Sequence, residues 1–183
     1  GIMLASGLRA YVDRYGAAAA KRIAVFTNND DGHRTAADLH AVGVKIAAVI
    51  DTREDAPLAE NYEVIRGGQV VNTKGRLGLT FCDVMLADGT IRSVECGALG
   101  VSGGWNPNVH LTCHQRGRPQ WRDAIAAFVP GAELPVGMSV AGSANGALTL
   151  AACLHQGAQV AENVLSGLGI TTSPAERATT SEE

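Results

Sequence analysis

The chain has 183 residues, 46% apolar and 18% charged, with 4% aromatics and a formal net charge of −3. That length carries one large domain or two small ones, each with its own core, and the slightly acidic balance offers no basic footprint for nucleic acid. No apolar run reaches the roughly 20 residues of a membrane span, no succession of charged, apolar and small-residue regions reads as a signal peptide, and the four cysteines, Cys82, Cys96, Cys113 and Cys153, lack C-x-x-C spacing and read as reduced thiols of a cytoplasmic protein.

Residues 1–16 read as an amphipathic helix with Leu4, Leu8, Tyr11 and Val12 on one face. The stretch 21–51, "KRIAVFTNNDDGHRTAADLHAVGVKIAAVID", follows as strand, polar turn, helix and strand. The strands are "RIAVFT" and "KIAAVID", both continuous apolar runs of the kind a parallel sheet covered on two faces requires. The helix is expected from about Gly32 to Ala41, with Gly43 as its C-terminal cap.

A dinucleotide-binding βαβ unit carries G-x-G-x-x-G in the turn after its first strand. Here that turn reads Thr27-Asn28-Asn29-Asp30-Asp31-Gly32, with one glycine and two carboxylates. Negative charge at a helix N-terminus suits the helix and repels a phosphate, so the turn is expected to serve as scaffold. Asp51 stands where a ribose-binding acid would, and an aspartate before "TRED" is also a common turn or cap residue. His33 and Arg34 are expected to face solvent, with Arg34 near enough to the turn to reach an anion.

Short β-type runs fill residues 62–104. "FCDVMLADGTIRSVEC" reads as a hairpin turning at Asp88-Gly89, and "ALGVSGG" as a buried strand leaving the sheet through paired glycines. In residues 117–130, Trp121, Arg122 and Phe128 are placed on a short helical segment after Pro119, either as packing anchors or as cover for a ring or partner. His110, Cys113 and His114 form one cluster without a second half, so no metal site is expected. A Cys113 nucleophile would need a geometry that spacing does not supply, and no catalytic residue is assigned.

The last structured stretch, 137–165, is read as a short strand (138–141), a glycine-bearing turn and a long helix. Backbone N–H groups at such a turn can meet a phosphate, or the small residues can serve close packing. The polar run "TTSPAERATTSEE" reads as a linker or tail.

Together "GIMLA", "RYG", "AVFTNNDDGHRTAADL", "SGGWNPNVHL" and "VAGSANGA" resemble the central part of the alpha subunits of bacterial heterotetrameric sarcosine oxidases, within the two-dinucleotide-domain flavoproteins. The resemblance implies an α/β chain: a Rossmann-like βαβ domain with a β-hairpin or meander, plus the closing strand-helix part of a second nucleotide-binding domain. It divides the chain into a leading helix and crossing (1–20), an inserted NAD-binding-like domain with a degenerate phosphate loop (21–101), a return segment completing the first dinucleotide domain (102–168) and a linker or disordered tail (169–183). "SVAGSANGA" takes the place of the family's second cofactor motif, which makes Gly142, Ser143, Ala144, Asn145 and Gly146 the candidate cofactor-binding residues. Ser143 replaces the family's aspartate, and Asn145 is the nearest substitute hydrogen-bond partner.

By the same resemblance the parent subunit holds NAD, the parent complex holds FAD and FMN, and tetrahydrofolate binds a domain absent from this chain. The partners are the other subunits of the hetero-oligomer, and the chain alone is expected to be inactive. A related FAD- or NAD-dependent amine, opine or proline dehydrogenase subunit, and a noncatalytic scaffold module, are the alternative readings.

Overall fold

The computed structural model describes residues 1–171 and 179–180. In chain order the first part forms β1 (Ile2–Leu4), α1 (Ala5–Tyr15), β2 (Arg22–Thr27), α2 (Asp30–Ala41), β3 (Lys45–Asp51), β4 (Val64–Arg66), β5 (Gln69–Lys74), β6 (Phe81–Met85), β7 (Ile91–Glu95) and β8 (Ala98–Ser102). Five of these strands make a parallel sheet in the order β1-β8-β2-β3-β4, and β5-β6-β7 make a separate antiparallel meander. The α/β, Rossmann-like architecture with a meander is thus borne out.

The parallel sheet is buried on both faces because its strands are apolar at successive positions. On one face Leu8, Ile23, Val25, Ala36, Leu39 and Val49 form a core with α1 and α2. On the other Ala24, Ala48, Ile50, Cys82, Val84, Val94 and Leu99 form a second core with the meander. Alternating residues of each strand therefore serve different layers, as the two-residue period of a strand dictates.

The residues read as one opening helix begin instead as β1, because Ile2, Met3 and Leu4 pair with Leu99, Gly100 and Val101 of β8. Of the expected apolar stripe only Leu8 is buried at 1% exposure, while Leu4 and Tyr11 remain open. Residues 1–20 accordingly belong to the same compact unit as the sheet, which extends to Gly104. Helix α2 begins at Asp30, with Asn29 as its N-terminal cap, and ends at Ala41 with Val42 as its C-terminal cap, Gly43 (φ +89°) then turning the chain into β3. The Asp88-Gly89 hairpin forms as expected, closed by Leu86 N donating to Thr90 O at 2.8 Å.

Residues 105–183 make the second unit. It contains β9 (Gln120–Arg122), β10 (Ala127–Val129) and α3 (Leu150–Gly167), with one-turn 3-10 helices at His110–Cys113, Asp123–Ile125 and Gly142–Asn145. Trp121, Arg122 and Phe128 are not on a helix. Trp121 and Phe128 lie directly opposite each other in an antiparallel hairpin, their rings edge-on at 5.1 Å, and this aromatic cross-strand pair outweighs the helical spacing. The expected strand at 138–141 is also absent, since its backbone meets no neighbouring strand among the described residues. Helix α3 starts at Leu150, capped by the Thr149 hydroxyl accepting from Ala152 N at 3.2 Å, and so begins after the glycine turn rather than in it. Most of the tail expected over 169–183 lies outside the described residues. Among those described, no helix is long and apolar enough to cross a membrane.

Gly100 in β8 marks how closely α1 lies on the sheet: a Cβ there would stand 2.5 Å from Leu8 Cδ1 and 3.4 Å from Ala5 Cα. Leu8→Ala is expected to destabilise the chain by about 2–5 kcal/mol and Gly100→Ala by about 1–3 kcal/mol. In the double variant the added methyl enters the vacated space, so the urea-measured loss should fall short of the sum by at least about 0.5 kcal/mol. Strict additivity would show that α1 does not rest on Gly100.

Candidate functional site

Open α/β sheets bind ligands beyond the carboxyl ends of their strands, where the strand order reverses. In this sheet that place lies above β2 and β8, at residues 27–32 and 102–104. The turn occupies the six positions of G-x-G-x-x-G, with Thr27 and Asn29 standing for the first two glycines and Gly32 retained as the third. The third glycine of that pattern serves close helix-strand packing, and it does so here: a Cβ on Gly32 would fall onto the Thr27 side chain. The two glycines that would let a pyrophosphate approach are the two that are gone.

Their replacements take two backbone donors of the turn, Asn29 N and Asp31 N. Thr27 Oγ1 accepts from Asn29 N at 3.1 Å and donates to Asn29 O at 2.9 Å. Asn29 Oδ1 accepts from Asp31 N at 3.1 Å as the α2 cap. The same asparagine is tied to β8, its Nδ2 donating to Ser102 O at 3.0 Å and its Oδ1 accepting from Ser102 Oγ at 3.1 Å. Asn28 Nδ2 reaches Gly103 O at 3.4 Å. The crevice between the two strand ends is thereby laced shut by side chains.

Asp51, at the end of β3, is fully buried at 0% exposure. Its Oδ1 accepts from Arg53 N at 2.8 Å and Arg53 Nε at 3.2 Å, and its Oδ2 from Arg53 Nη2 at 2.9 Å and His33 Nε2 at 2.7 Å. A carboxylate has about four lone-pair sites, and all are taken, so none is left for a ribose hydroxyl. Of the two readings of Asp51, the turn residue is the one realised. Burial by itself pushes the Asp51 carboxyl up, but the Arg53 side-chain and backbone bonds and the His33 bond together hold it below its ordinary value. Arg53 continues across the turn to Asp30 Oδ1 at 2.7 Å, and its own pKa is raised, first by the bond to Asp51.

The expectation that His33 faces solvent is corrected: it points inward to Asp51, one helical turn from Asp30 on the same face of α2. Arg34 is exposed as expected. Arg53 escaped the sequence reading altogether, although D-x-R directly after a strand is the spacing at which an aspartate caps its own turn.

The residues 142–146 lie in the second unit. Gly142 N and Asn145 Nδ2 both donate to Gln156 Oε1, at 3.1 and 3.4 Å, and Arg122 Nη1 donates to Asn145 O at 3.2 Å. Cys153 Sγ closes the far side on Ala147 O at 3.2 Å. Ser143 is the exposed member of the five, and Gly146 is buried against Val129 and Ile125 of the hairpin. Gln156, two turns into α3, is the positioning residue that spacing alone did not reveal. Cys113, of the weighed metal cluster, bonds Val109 O at 3.2 Å within its 3-10 turn.

Among curated proteins the chain is 37% identical over 176 residues to sarcosine oxidase subunit alpha of Rhizobium meliloti (strain 1021), covering 95% of this chain and 18% of that protein. It is 34% identical over 182 residues to the corresponding subunit of Corynebacterium sp. (strain U-96), covering 92% and 19%. The chain thus spans about a fifth of the length of the relatives it matches, and the resemblance read from its motifs is borne out along nearly all of it. Among solved structures it is similar to L-proline dehydrogenase from P. horikoshii (TM-score 0.62, 18% identity, 95% of this chain and 31% of that one). Thioredoxin reductase from T. acidophilum gives a TM-score of 0.65 at 14% identity, covering 81% and 53%. At such identities the likeness concerns the Rossmann-type fold. No protein-family model matches the chain.

Because the folded Asp51 value is depressed, its contribution is present above the unfolded value near 3.9 and is lost as pH falls through the folded one. Arg53→Ala leaves the carboxylate buried with fewer donors, an expected loss of about 1–3 kcal/mol at pH 7. Burial then lifts the carboxyl, so the stability gap between the variant and the natural chain should narrow as pH drops toward 4. Urea unfolding at both pH values measures it; a gap that stays constant would mean that Arg53 acts through packing alone.

Proposed function

We infer that this chain is the central dinucleotide-fold segment of a sarcosine oxidase alpha subunit, in which the first unit is a scaffold and the second supplies part of a cofactor site. The observation that carries the scaffold reading is the saturation of the nucleotide position: the Asp51 carboxylate has no free lone pair, and Thr27 and Asn29 cap the helix donors. An NAD pyrophosphate and ribose do not fit there without displacing Arg53 and the asparagine lacing. The similarity along nearly the whole chain supports the assignment to this subunit.

In this reading the parent subunit holds NAD, with Gly142, Ser143, Ala144, Asn145 and Gly146 forming part of its seat. The turn has its backbone fixed by Gln156 and Arg122 and its Ser143 side chain exposed, which suits hydrogen bonding to a polar ligand. The residues 102–168 would then return the chain to the first dinucleotide domain. The parent complex oxidatively demethylates sarcosine in the cytoplasm, with FAD and FMN carrying the electrons toward oxygen and tetrahydrofolate accepting the one-carbon unit elsewhere in the subunit. NAD, when bound, would contribute a fixed dinucleotide rather than chemistry performed by this segment, whose role is to hold and orient.

The two units can be separated by experiment in the full-length subunit assembled with its partners. Gly142→Val forces a β-branched side chain onto a φ of +69° beside Cys153, and it is expected to lower retained NAD while Arg53→Ala leaves NAD content unchanged. NAD is released by acid and quantified against protein, with circular dichroism to verify folding. NAD lost in folded Arg53→Ala would place the site in the first unit and sink the scaffold reading; full NAD in folded Gly142→Val would reduce the turn to a packing feature.

A further inference from the structure

The meander side of the parallel sheet buries two thiols that nothing above employs. Cys82 in β6 and Cys96, one residue past β7, are 0% and 1% exposed, and their sulfurs stand 3.8 Å apart. They are diagonal neighbours on one face of the antiparallel pair: Cys82 lies opposite Val94, and Cys96 N donates to Thr80 O at 3.1 Å. At that distance the two sulfurs are in van der Waals contact, and closing to the roughly 2.05 Å of a sulfur-sulfur bond draws the two diagonal positions, and the chain segments that carry them, closer together.

A second feature of the same face singles out Cys96. Arg22 alternates with Ile23 along β2 and so shares the side of Ala24, which belongs to the core containing both thiols. Its Nη1 donates to Glu95 Oε2 at 3.1 Å, while its Nε is buried with no hydrogen-bond partner among the described residues. Gly97 N donates to Arg22 O at 2.8 Å, which fixes the arginine beside the segment that carries Cys96. The bond shared with Cys82 holds the Cys96 thiol below its ordinary value, with the Arg22 charge adding to it and burial opposing; the Cys82 thiol is pushed up by the same bond and by burial. A guanidinium next to one thiol of a contacting pair is the setting that favours a thiolate nucleophile.

We propose that Cys82 and Cys96 form a redox pair that closes to an intrachain disulfide when the protein meets a hydroperoxide. The Cys96 thiolate attacks one peroxide oxygen; an S–O bond forms, the O–O bond breaks, and the leaving oxygen takes a proton to depart as water, or as an alcohol if the peroxide is alkylated. The resulting sulfenic acid is attacked by Cys82 sulfur; the S–S bond forms, the S–O bond breaks, and the hydroxyl leaves as a second water with the Cys82 proton. Two thiols lose two electrons and the peroxide gains them. The oxidant must be small, because both sulfurs lie inside a packed core, and the product ties β6 to the chain entering β8. This inference is independent of the nucleotide reading.

The test uses the full chain with Cys113→Ser and Cys153→Ser, which leaves only the pair and does not touch it. After hydrogen peroxide, acid quenching and alkylation in denaturant, both thiols are expected to be lost together, and a nonreducing peptide map should link the tryptic peptides on either side of Arg92. Dithiothreitol should restore two alkylatable thiols. Adding Arg22→Gln is expected to slow closure several-fold while the linked peptide still forms. Thiols that remain alkylatable at peroxide levels that oxidise Cys113 in the natural chain, or a sulfinic acid on one cysteine with no linked peptide, overturn the proposal; an unchanged rate in Arg22→Gln overturns the part assigned to Arg22.

Discussion

The first turn of a helix presents amide donors that must be answered by something, and the first unit depends on how α2 answers this. In nucleotide-binding relatives of the fold a phosphate does so; here Thr27 and Asn29 do, from positions that glycine would otherwise hold. With Asn29 N and Asp31 N met from within, the carboxylates of Asp30 and Asp31 become favourable neighbours of the helix dipole instead of obstacles to a ligand.

The same substitution propagates to the neighbouring strand ends. Asn29 can lace β2 to β8 because its side chain reaches Ser102, and Arg53 spans from Asp51 to Asp30 with its forked guanidinium. Each of these bonds is modest, on the order of 1 kcal/mol net, yet they share atoms and exclude water from a fully buried carboxylate. The retained Gly32 shows which part of a nucleotide turn belongs to the fold and which to the ligand. The glycine that lets helix meet strand stays; those that let backbone meet phosphate do not.

Much of the fold was legible because it is written in local periods. "RIAVFT" and "KIAAVID" are apolar without alternation and became central parallel strands, and Asp88-Gly89 set its hairpin through turn chemistry alone. What could not be read depended on partners distant in sequence. Ile2 to Leu4 look helical until β8, about a hundred residues on, offers a strand to pair with. Met138 to Ala141 look like a strand, but no such partner stands beside them. Trp121 and Phe128, seven residues apart, match a helical face as well as a cross-strand pair, and only the turn between them decides. At the site, the missing glycines announced that the turn was altered, but neither Arg53, His33 nor Gln156 was visible, since each acts through a side chain reaching across space rather than through spacing.

The order of strands in the sheet sets a schedule on the ribosome. β8 lies between β1 and β2, yet it is synthesised after both of them and after the whole meander. Until Ala98 to Ser102 emerge, β1 and β2 both lack the strand that pairs them here. Leu8 likewise waits for the strand whose Gly100 it covers. During that interval the nascent chain carries an adhesive ribbon of Ile23, Val25 and Phe26, so the helices and the meander cannot finish their own cores independently. Because Ala98 and Leu99 of β8 sit in the two cores on either face of the sheet, neither core of residues 1–104 is complete until that late strand is in place.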